Sequence, residues 1–315
     1  MTGGAGFIGS NLTASLLAMG YHVRVIDNFS TGRREFLKSA LQHPHFQLFQ
    51  ADLLDKTAVA RAMDGVDAVI HLAANADVRF GWENPGRDLE QNVIATHNVL
   101  EAMRHHHIER LVFSSTGSVY GESLLIPTPE DAPFPIQTSL YGASKVGAEG
   151  LVSAYAKAGR VRATIFRFVS ILGPHYTHGH VIDFVAQLKR DPSQLKVLGD
   201  GHQRKSYLHV NDCVLAVIQR LKPDVDLEIL NLGTENYCEV NESVRWICKR
   251  MNLNPAIVYS GGQRGWVGDS PFIFLDISRM KKLGWTPTFD IKSAIEDTVD
   301  WLLSNSWALK SAMLE

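Results

Sequence analysis

Short β-branched runs alternate with longer amphipathic stretches through the first two-thirds of this chain. His22–Asp27 (HVRVID), Phe46–Ala51, Asp67–Ala73 (DAVIHLA), Arg110–Ser115 (RLVFSS) and Arg162–Phe168 (RATIFRF) are apolar runs of strand length. Such runs fit strands covered on both faces, as in a parallel sheet. Between them, Phe7–Met19, Thr57–Met63, Pro85–His107 and Tyr141–Lys157 carry helical spacing. Strand–helix alternation predicts an α/β fold with a doubly wound parallel sheet. After Gly173-Pro174 the elements shorten, and proline, glycine and polar positions become more frequent. There the pattern predicts helices over Val181–Lys189, Asn211–Lys222, Asn241–Asn252 and Ile291–Ser304, and strands over Glu228–Leu232 and Phe272–Asp276. This division implies a main unit of residues 1–171 and 206–234 and a smaller α+β lobe of residues 172–205 and 235–315.

A chain of 315 residues can bury one large or two modest cores. Its 31 basic and 33 acidic residues leave a net charge of −2. That excludes a global basic field for nucleic acid or an anionic membrane, so any anion must be held locally. Three cysteines without CxxC spacing, Cys213, Cys238 and Cys248, argue against a disulfide framework or zinc site and for a reducing compartment. There is no run long enough to span a bilayer and no basic-then-apolar leader pattern, so the expected location is the cytoplasm.

Thr2-Gly3-Gly4-Ala5-Gly6-Phe7-Ile8-Gly9 places Gly3, Gly6 and Gly9 at the opening of a helix. Backbone amides and the helix dipole there suit a pyrophosphate. Asp27 ends the following β-like run, where a carboxylate accepts from ribose hydroxyls and repels a 2′-phosphate, favouring NAD over NADP. Arg33 and Arg34 follow closely enough to keep NADP in view. Asp52-Leu53 ends the next strand, beside the adenine or as an ordinary cap. A strand of about five apolar residues normally precedes such a loop, yet only Met1 precedes Thr2. This points to a start placed too late or a trimmed chain, with stability and cofactor affinity both at stake.

Tyr141-Gly142-Ala143-Ser144-Lys145 sets a phenol and an ammonium four residues apart on one helix face. A phenol ionises near pH 10, and a neighbouring ammonium favours its charged form. Ser114-Ser115-Thr116-Gly117-Ser118 ends a strand, which places hydroxyls at the carboxyl edge of the sheet beside Tyr141. Together with the glycine loop, these residues predict hydride chemistry on a nicotinamide cofactor. His105-His106-His107 are consecutive on a helix and point about 100° apart, so no metal site is expected.

With TGGAGFIGS, VIDNFSTG, HLAA, NVIATHNVL, SSTGSVYGE, YGASK and GDGHQRKSYLHVND in order, the chain resembles the extended short-chain dehydrogenase/reductase family. Within it, it is most similar to the nucleotide-sugar epimerases, those of UDP-glucose in particular. The resemblance implies an NAD-binding Rossmann-like domain and a nucleotide-sugar-binding lobe. It implies Tyr141 as base, Lys145 as its partner on the nicotinamide ribose, Thr116 as hydroxyl relay and Ser118 as a hexose contact. The remaining cofactor contacts it implies are Phe7, Ile8, Asn28, Ser30, Thr31, Gly32, Leu72, Ala73, Ala74, Asn92, Ser114 and Phe168. Its substrate contacts would be Ser170, His180, Val181, Arg204, Lys205, Tyr207, Arg264 and Asp269.

Three of these depart from the pattern. Lys205 stands where relatives usually have a phosphate-gripping arginine, with Arg204 beside it to take over. Ser170 replaces an asparagine aimed at the substrate. Gly117 and Ser118 stand where the related dehydratases and decarboxylases carry acids, which leaves no carboxyl to drive elimination.

The expected reaction is therefore redox-neutral epimerisation at C4 of a UDP-hexose, UDP-glucose or UDP-galactose, through a 4-keto sugar. Rival readings are an epimerase or reductase of another nucleotide sugar, an N-acetylhexosamine or a uronate, with Ile273 at the pocket wall, and a non-catalytic dinucleotide sensor. The resemblance also implies a homodimer in which Pro85–His107 and Tyr141–Lys157 of each chain form a four-helix bundle.

Overall fold

The computed structural model describes residues 1–75, 81–133, 136–265 and 272–309. The first half runs α1 (Phe7–Ala18), β1 (Val23–Asp27), β2 (Phe46–Gln50), α2 (Lys56–Met63), β3 (Ala68–His71), α3 (Pro85–Asp88), α4 (Ala95–His105), β4 (Arg110–Thr116), α5 (Leu140–Lys157) and β5 (Arg162–Phe168). There follow β6 (Ser170–Leu172), α6 (His180–Arg190), β7 (Gln194–Val197), β8 (Arg204–Lys205), β9 (Tyr207–His209), α7 (Val210–Gln219) and β10 (Leu227–Leu232). The chain continues with β11 (Cys238–Glu239), α8 (Val240–Arg250), β12 (Ala256–Tyr259), β13 (Phe272–Ile273), α9 (Ser278–Lys282) and α10 (Ile291–Ser304).

β2 pairs β1, and β3, β4, β5 and β10 pair in that order, all in parallel. Alternate strand residues enter two different cores, as doubly wound sheets require. Val25, Ile70, Val112 and Phe166 pack with α1 and α7 on one face. Ile26, Val69, Leu111, Phe113 and Ile165 pack with α2, α4 and α5 on the other. A third core gathers α6, α8, α10 and β7 around Ile182, Leu195, Ile247 and Ile295. Cys213, Cys238 and Cys248 are free thiols inside these cores. Among the described residues, no helix is long and apolar enough to cross a membrane, and no cluster could hold a metal.

The predicted helix Pro85–His107 is interrupted: between α3 and α4, Leu89–Ile94 form a π-helix. The wider turn brings Asp88 and Asn92 inward, each 1% exposed. The expected strand Phe272–Asp276 keeps only two ladder residues. Beyond them the backbone switches partner, with Thr128 N donating to Phe274 O at 2.8 Å and Asp276 N to Thr128 O at 2.9 Å.

The expected first strand is reduced to one position. Thr2 forms parallel bridges to Ile26 of β1 and His71 of β3, and thereby joins the two halves of the sheet. Its amide donates to Ile70 O at 2.9 Å, and Gly3 N donates to Ile26 O at 3.0 Å. Below Thr2 a cavity of about 690 Å³ opens between the strands, lined by Met1, Val23, Ile26, Ala68, Val69 and Ile70 among others.

Candidate active site

The glycine loop leaves Thr2 and enters α1 without spare room. Gly3 has φ +67°, and a Cβ there would lie 2.7 Å from Ala73 N. A Cβ on Gly9 would lie 2.2 Å from Gly3 O. The loop therefore closes tightly against Leu72 and Ala73 at the end of β3. At the helix start, Gly6 provides no side-chain cap, and the first turn contains no acidic residue. Phe7 and Ile8 thus begin a helix whose leading amides are left for an anion.

Asp27 ends β1 beside this loop, 8% exposed. Its Oδ2 accepts from Ala5 N at 2.8 Å and its Oδ1 from Phe29 N at 2.9 Å. Burial raises its pKa, and these two amides act against the rise. A carboxylate offers about four lone-pair sites, so two remain for ribose hydroxyls. Gly32 folds back on it: a Cβ there would lie 2.8 Å from Asp27 Oδ1. Asn28, Ser30 and Thr31 form the turn between them, with Ser30 N donating to Asn28 Oδ1 at 2.9 Å. Asp52 is tied to this turn, accepting from Asn28 Nδ2 at 2.8 Å, and it also caps Leu54 N at 2.9 Å. Leu53 is buried beneath, and Ala74 lies half-buried past β3. An uncapped helix start, a tight glycine turn and a carboxylate with free lone pairs fit an adenine dinucleotide.

Across the sheet edge, Ser139 caps α5 by accepting from Gly142 N at 3.0 Å, which fixes where Tyr141 and Lys145 begin. Tyr141 hydrogen-bonds Thr116 at the end of β4. Thr116 Oγ1 also donates to Ser118 Oγ at 3.2 Å and accepts from Ser118 N at 3.1 Å. Ser114, one step inside the strand, donates to His71 O at 3.1 Å. Phe168 lies buried under Gly117. Lys145 is 2% exposed, its Nζ 4.3 Å from the centre of the Phe113 ring.

The expected lowering of Tyr141 by Lys145 is not what the protein's own groups produce. Burial pushes the phenol up to about 12, Thr116 acts against this, and Asp88 adds to it. Burial also brings Lys145 down to about 7, opposed by Glu149. Desolvation disfavours both charged forms, and here it outweighs the opposing effects of Thr116 and Glu149.

Several side chains support the site in ways that the sequence reading does not anticipate. Asn92 sits behind it, its Oδ1 accepting from Asn75 N at 2.8 Å and its Nδ2 donating to Ser144 Oγ at 2.8 Å. Asp88 Oδ1 accepts from Asn75 Nδ2 at 2.8 Å. Ser144 in turn donates to Tyr141 O at 2.8 Å, so the π-helix braces the first turn of α5. The spacing of Asp88 and Asn92 gives a sequence signal only once the π-turn is known. His71 is the other support, pushed down to about 3 by burial first and Lys145 second, and therefore neutral.

The predicted substrate contacts divide. Ser170 opens β6, exposed, in register with Tyr207 of β9. Val181 and Tyr207 are core residues of the smaller lobe. His180 Nε2 meets Ser243 Oγ at 2.6 Å, its ring stacks on Tyr207 at 5.1 Å, and burial brings it down to about 3. Arg204 and Lys205 are adjacent on β8 and so point to opposite faces. Arg204 lies over Phe272 at 4.2 Å and near Tyr237 at 5.6 Å. Lys205 acts on the buried His180. Arg264 pairs with Glu122, which follows the VYG turn, at 2.6 Å. Asp269 lies outside the described residues.

The family described as NAD dependent epimerase/dehydratase matches residues 1–233. The chain is 30% identical to UDP-glucose 4-epimerase of Corynebacterium glutamicum over 331 residues, covering 99% of this chain and 95% of the relative. A crystal structure of a UDP-galactose 4-epimerase superposes with TM-score 0.86 at 37% identity, covering 97% of this chain and 98% of that one. The UDP-glucuronic acid 4-epimerase of Bacillus cereus, in complex with UDP-glucuronic acid and NAD, superposes with TM-score 0.88 at 26% identity, covering 96% and 98%.

The Asp27 geometry yields a binding prediction. Asp27→Ala should weaken NAD while improving NADP relative to it, because the charge that repels a 2′-phosphate is gone. Calorimetric titration of both cofactors checks this, and tighter NADP than NAD binding by the unaltered protein would contradict it.

Proposed function

We propose that this chain, which belongs to the NAD dependent epimerase/dehydratase family, is a UDP-sugar 4-epimerase that interconverts UDP-glucose and UDP-galactose. The observation that carries this is the Tyr141–Thr116 hydrogen bond at the sheet edge, with Lys145 buried one turn along and no carboxyl at 117 or 118. Relatives whose names specify glucose, galactose and glucuronic acid leave the hexose as the finer question.

Bound NAD supplies the acceptor for a hydride from C4 of the sugar and the donor that returns it. The protein's part is to move the proton and hold the nucleotide. Tyr141 as phenolate takes the proton of the 4-hydroxyl, directly or through Thr116, and gives it back after the keto sugar turns. Lys145 carries the positive charge that favours the phenolate. Lys205, on the opposite face of β8 from Arg204, is the cation set to hold the diphosphate, with Arg264 released from Glu122 as the second. Ile273 bounds the hexose pocket beside Gly117, which favours a plain hexose over a bulkier N-acetyl sugar. The boundaries 1–171 with 206–234 and 172–205 with 235–315 then separate cofactor from substrate binding.

Product analysis on a panel of UDP-sugars tests the substrate, and C4-deuterated UDP-glucose tests the chemistry. Deuterium should remain at C4 of UDP-galactose without accumulation of NADH. Washout, or NADH formed one-for-one with product, would show another reaction, and exclusive turnover of UDP-glucuronate would replace the hexose assignment. Tyr141→Phe should lose about 10²–10⁴-fold in kcat while still binding UDP-sugar. Near-normal turnover would remove Tyr141 from its role.

We also propose a homodimer through α4 and α5. The π-turn that leads into α4 leaves Leu89 and Ile94 exposed, while Tyr155 OH donates to Glu101 Oε1 at 2.5 Å and ties α5 to α4. Light scattering at micromolar concentration should give twice the chain mass of 34.9 kDa. A monomer would refute it.

A further inference from the structure

Glu149 lies one turn beyond Lys145 on α5, 7% exposed. Its Oε1 accepts from Ser115 Oγ at 2.5 Å and Arg167 Nε at 3.0 Å, and its Oε2 from Arg167 Nη2 at 2.7 Å. Ser115 precedes Thr116 on β4, and Arg167 stands in register with it on β5. Arg167 Nη1 donates to Tyr120 OH at 2.7 Å and to Glu130 O at 3.0 Å. Tyr120 OH donates to Asn231 Oδ1 on β10 at 2.8 Å. The carboxylate is thus fixed from two strands, and its arginine partner is held in turn through Tyr120 by Asn231 of a third.

A buried ion pair of this kind is weak evidence for stability, since an apolar pair of similar volume often serves the fold as well. What an apolar pair would not supply is negative charge beside Lys145. Glu149 acts on the lysine, the lysine acts on His71 from β3, and on the preceding turn of α5 Tyr141 faces Asp88 from α3. His71 is neutral, so it offers the ammonium no anion. Glu149 does, and Arg167 draws part of its field away.

We propose that Glu149 is a positioning residue for proton transfer, its carboxylate keeping Lys145 protonated while Arg167 and Ser115 set its aim and strength. The proposal rests on Tyr141 and Lys145 being the reacting pair. Its signature is a difference of sign. Glu149→Gln keeps the shape but removes the charge, so Lys145 should lose its proton at lower pH. Arg167→Met leaves the carboxylate to the lysine alone and should move that titration upward, and Ser115→Ala should do the same more weakly.

The test is the pH profile of kcat for the NAD-loaded enzyme and the three variants. Carbon NMR of labelled lysine runs in parallel, with the Lys145 signal identified by its loss in Lys145→Met. For Glu149→Gln the alkaline limb and the NMR midpoint should both fall by about one pH unit, roughly a tenfold loss at fixed pH on that limb. KM should change little. If Arg167→Met does not fold, the opposite shifts of Glu149→Gln and Ser115→Ala decide. Melting points that drop while the limb and NMR midpoint stay in place would overturn the proposal. NMR shifts of the expected signs in a protein that turns over no UDP-sugar would uphold it and reject the proposed reaction instead.

Discussion

Thr2 Oγ1 lies 2.7 Å from His71 Nδ1, and His71 Nε2 lies 3.0 Å from Thr96 Oγ1. The directions of these bonds follow from their neighbours. Thr96 donates its hydroxyl to Asn92 O at 2.6 Å, so it must accept from His71 Nε2–H. Thr2 Oγ1 accepts from Ala73 N at 3.2 Å and donates to His71 Nδ1. A neutral imidazole satisfies every partner, and an imidazolium would leave two donors facing each other. This one ring ties the glycine loop, the end of β3 and the start of α4 together in the sheet's interior. The glycine loop and the helix that braces Tyr141 are therefore linked through one buried ring.

The electrostatics beyond that connection follow from burial. A phenol near 12 and an ammonium near 7 are both held away from their charged forms. Positive charge brought close would favour the phenolate and further disfavour the ammonium, which makes the anion beside Lys145 matter. Removing water strengthens the remaining interactions.

Much of this was legible in the chain itself. Arg162–Phe168 and Ile291–Ser304 occupy their predicted limits, because long runs of one period leave little choice. Tyr141 and Thr116 meet at the sheet edge, since strand end and helix start are local matters. β8, β9, β11 and β13, at two or three residues each, carry no period to read. The π-turn at Leu89–Ile94 was illegible for a different reason: Asp88, Asn75 and Ser144 come from separate elements, and only the fold shows that they need one another. Arg204 as a stand-in for Lys205 looked plausible from adjacency, yet adjacency on a strand means opposite faces. The phenol's direction of shift was missed because the sequence displays charges and conceals burial.

The missing acid at position 117 is more than a choice of residue. A Cβ there would lie 2.9 Å from Ile273 Cγ2, 3.3 Å from Phe168 O and 3.5 Å from Leu275 Cδ1. The Leu275 contact would be an ordinary one, the Ile273 side chain would have to move, and the third neighbour is backbone of β5. A side chain at 117 would therefore have to displace Ile273 and crowd the β5 backbone at Phe168. The close approach of Ile273 is thus what leaves room for glycine alone beside Thr116, and the absence of a carboxyl at 117 is set by packing as well as by chemistry.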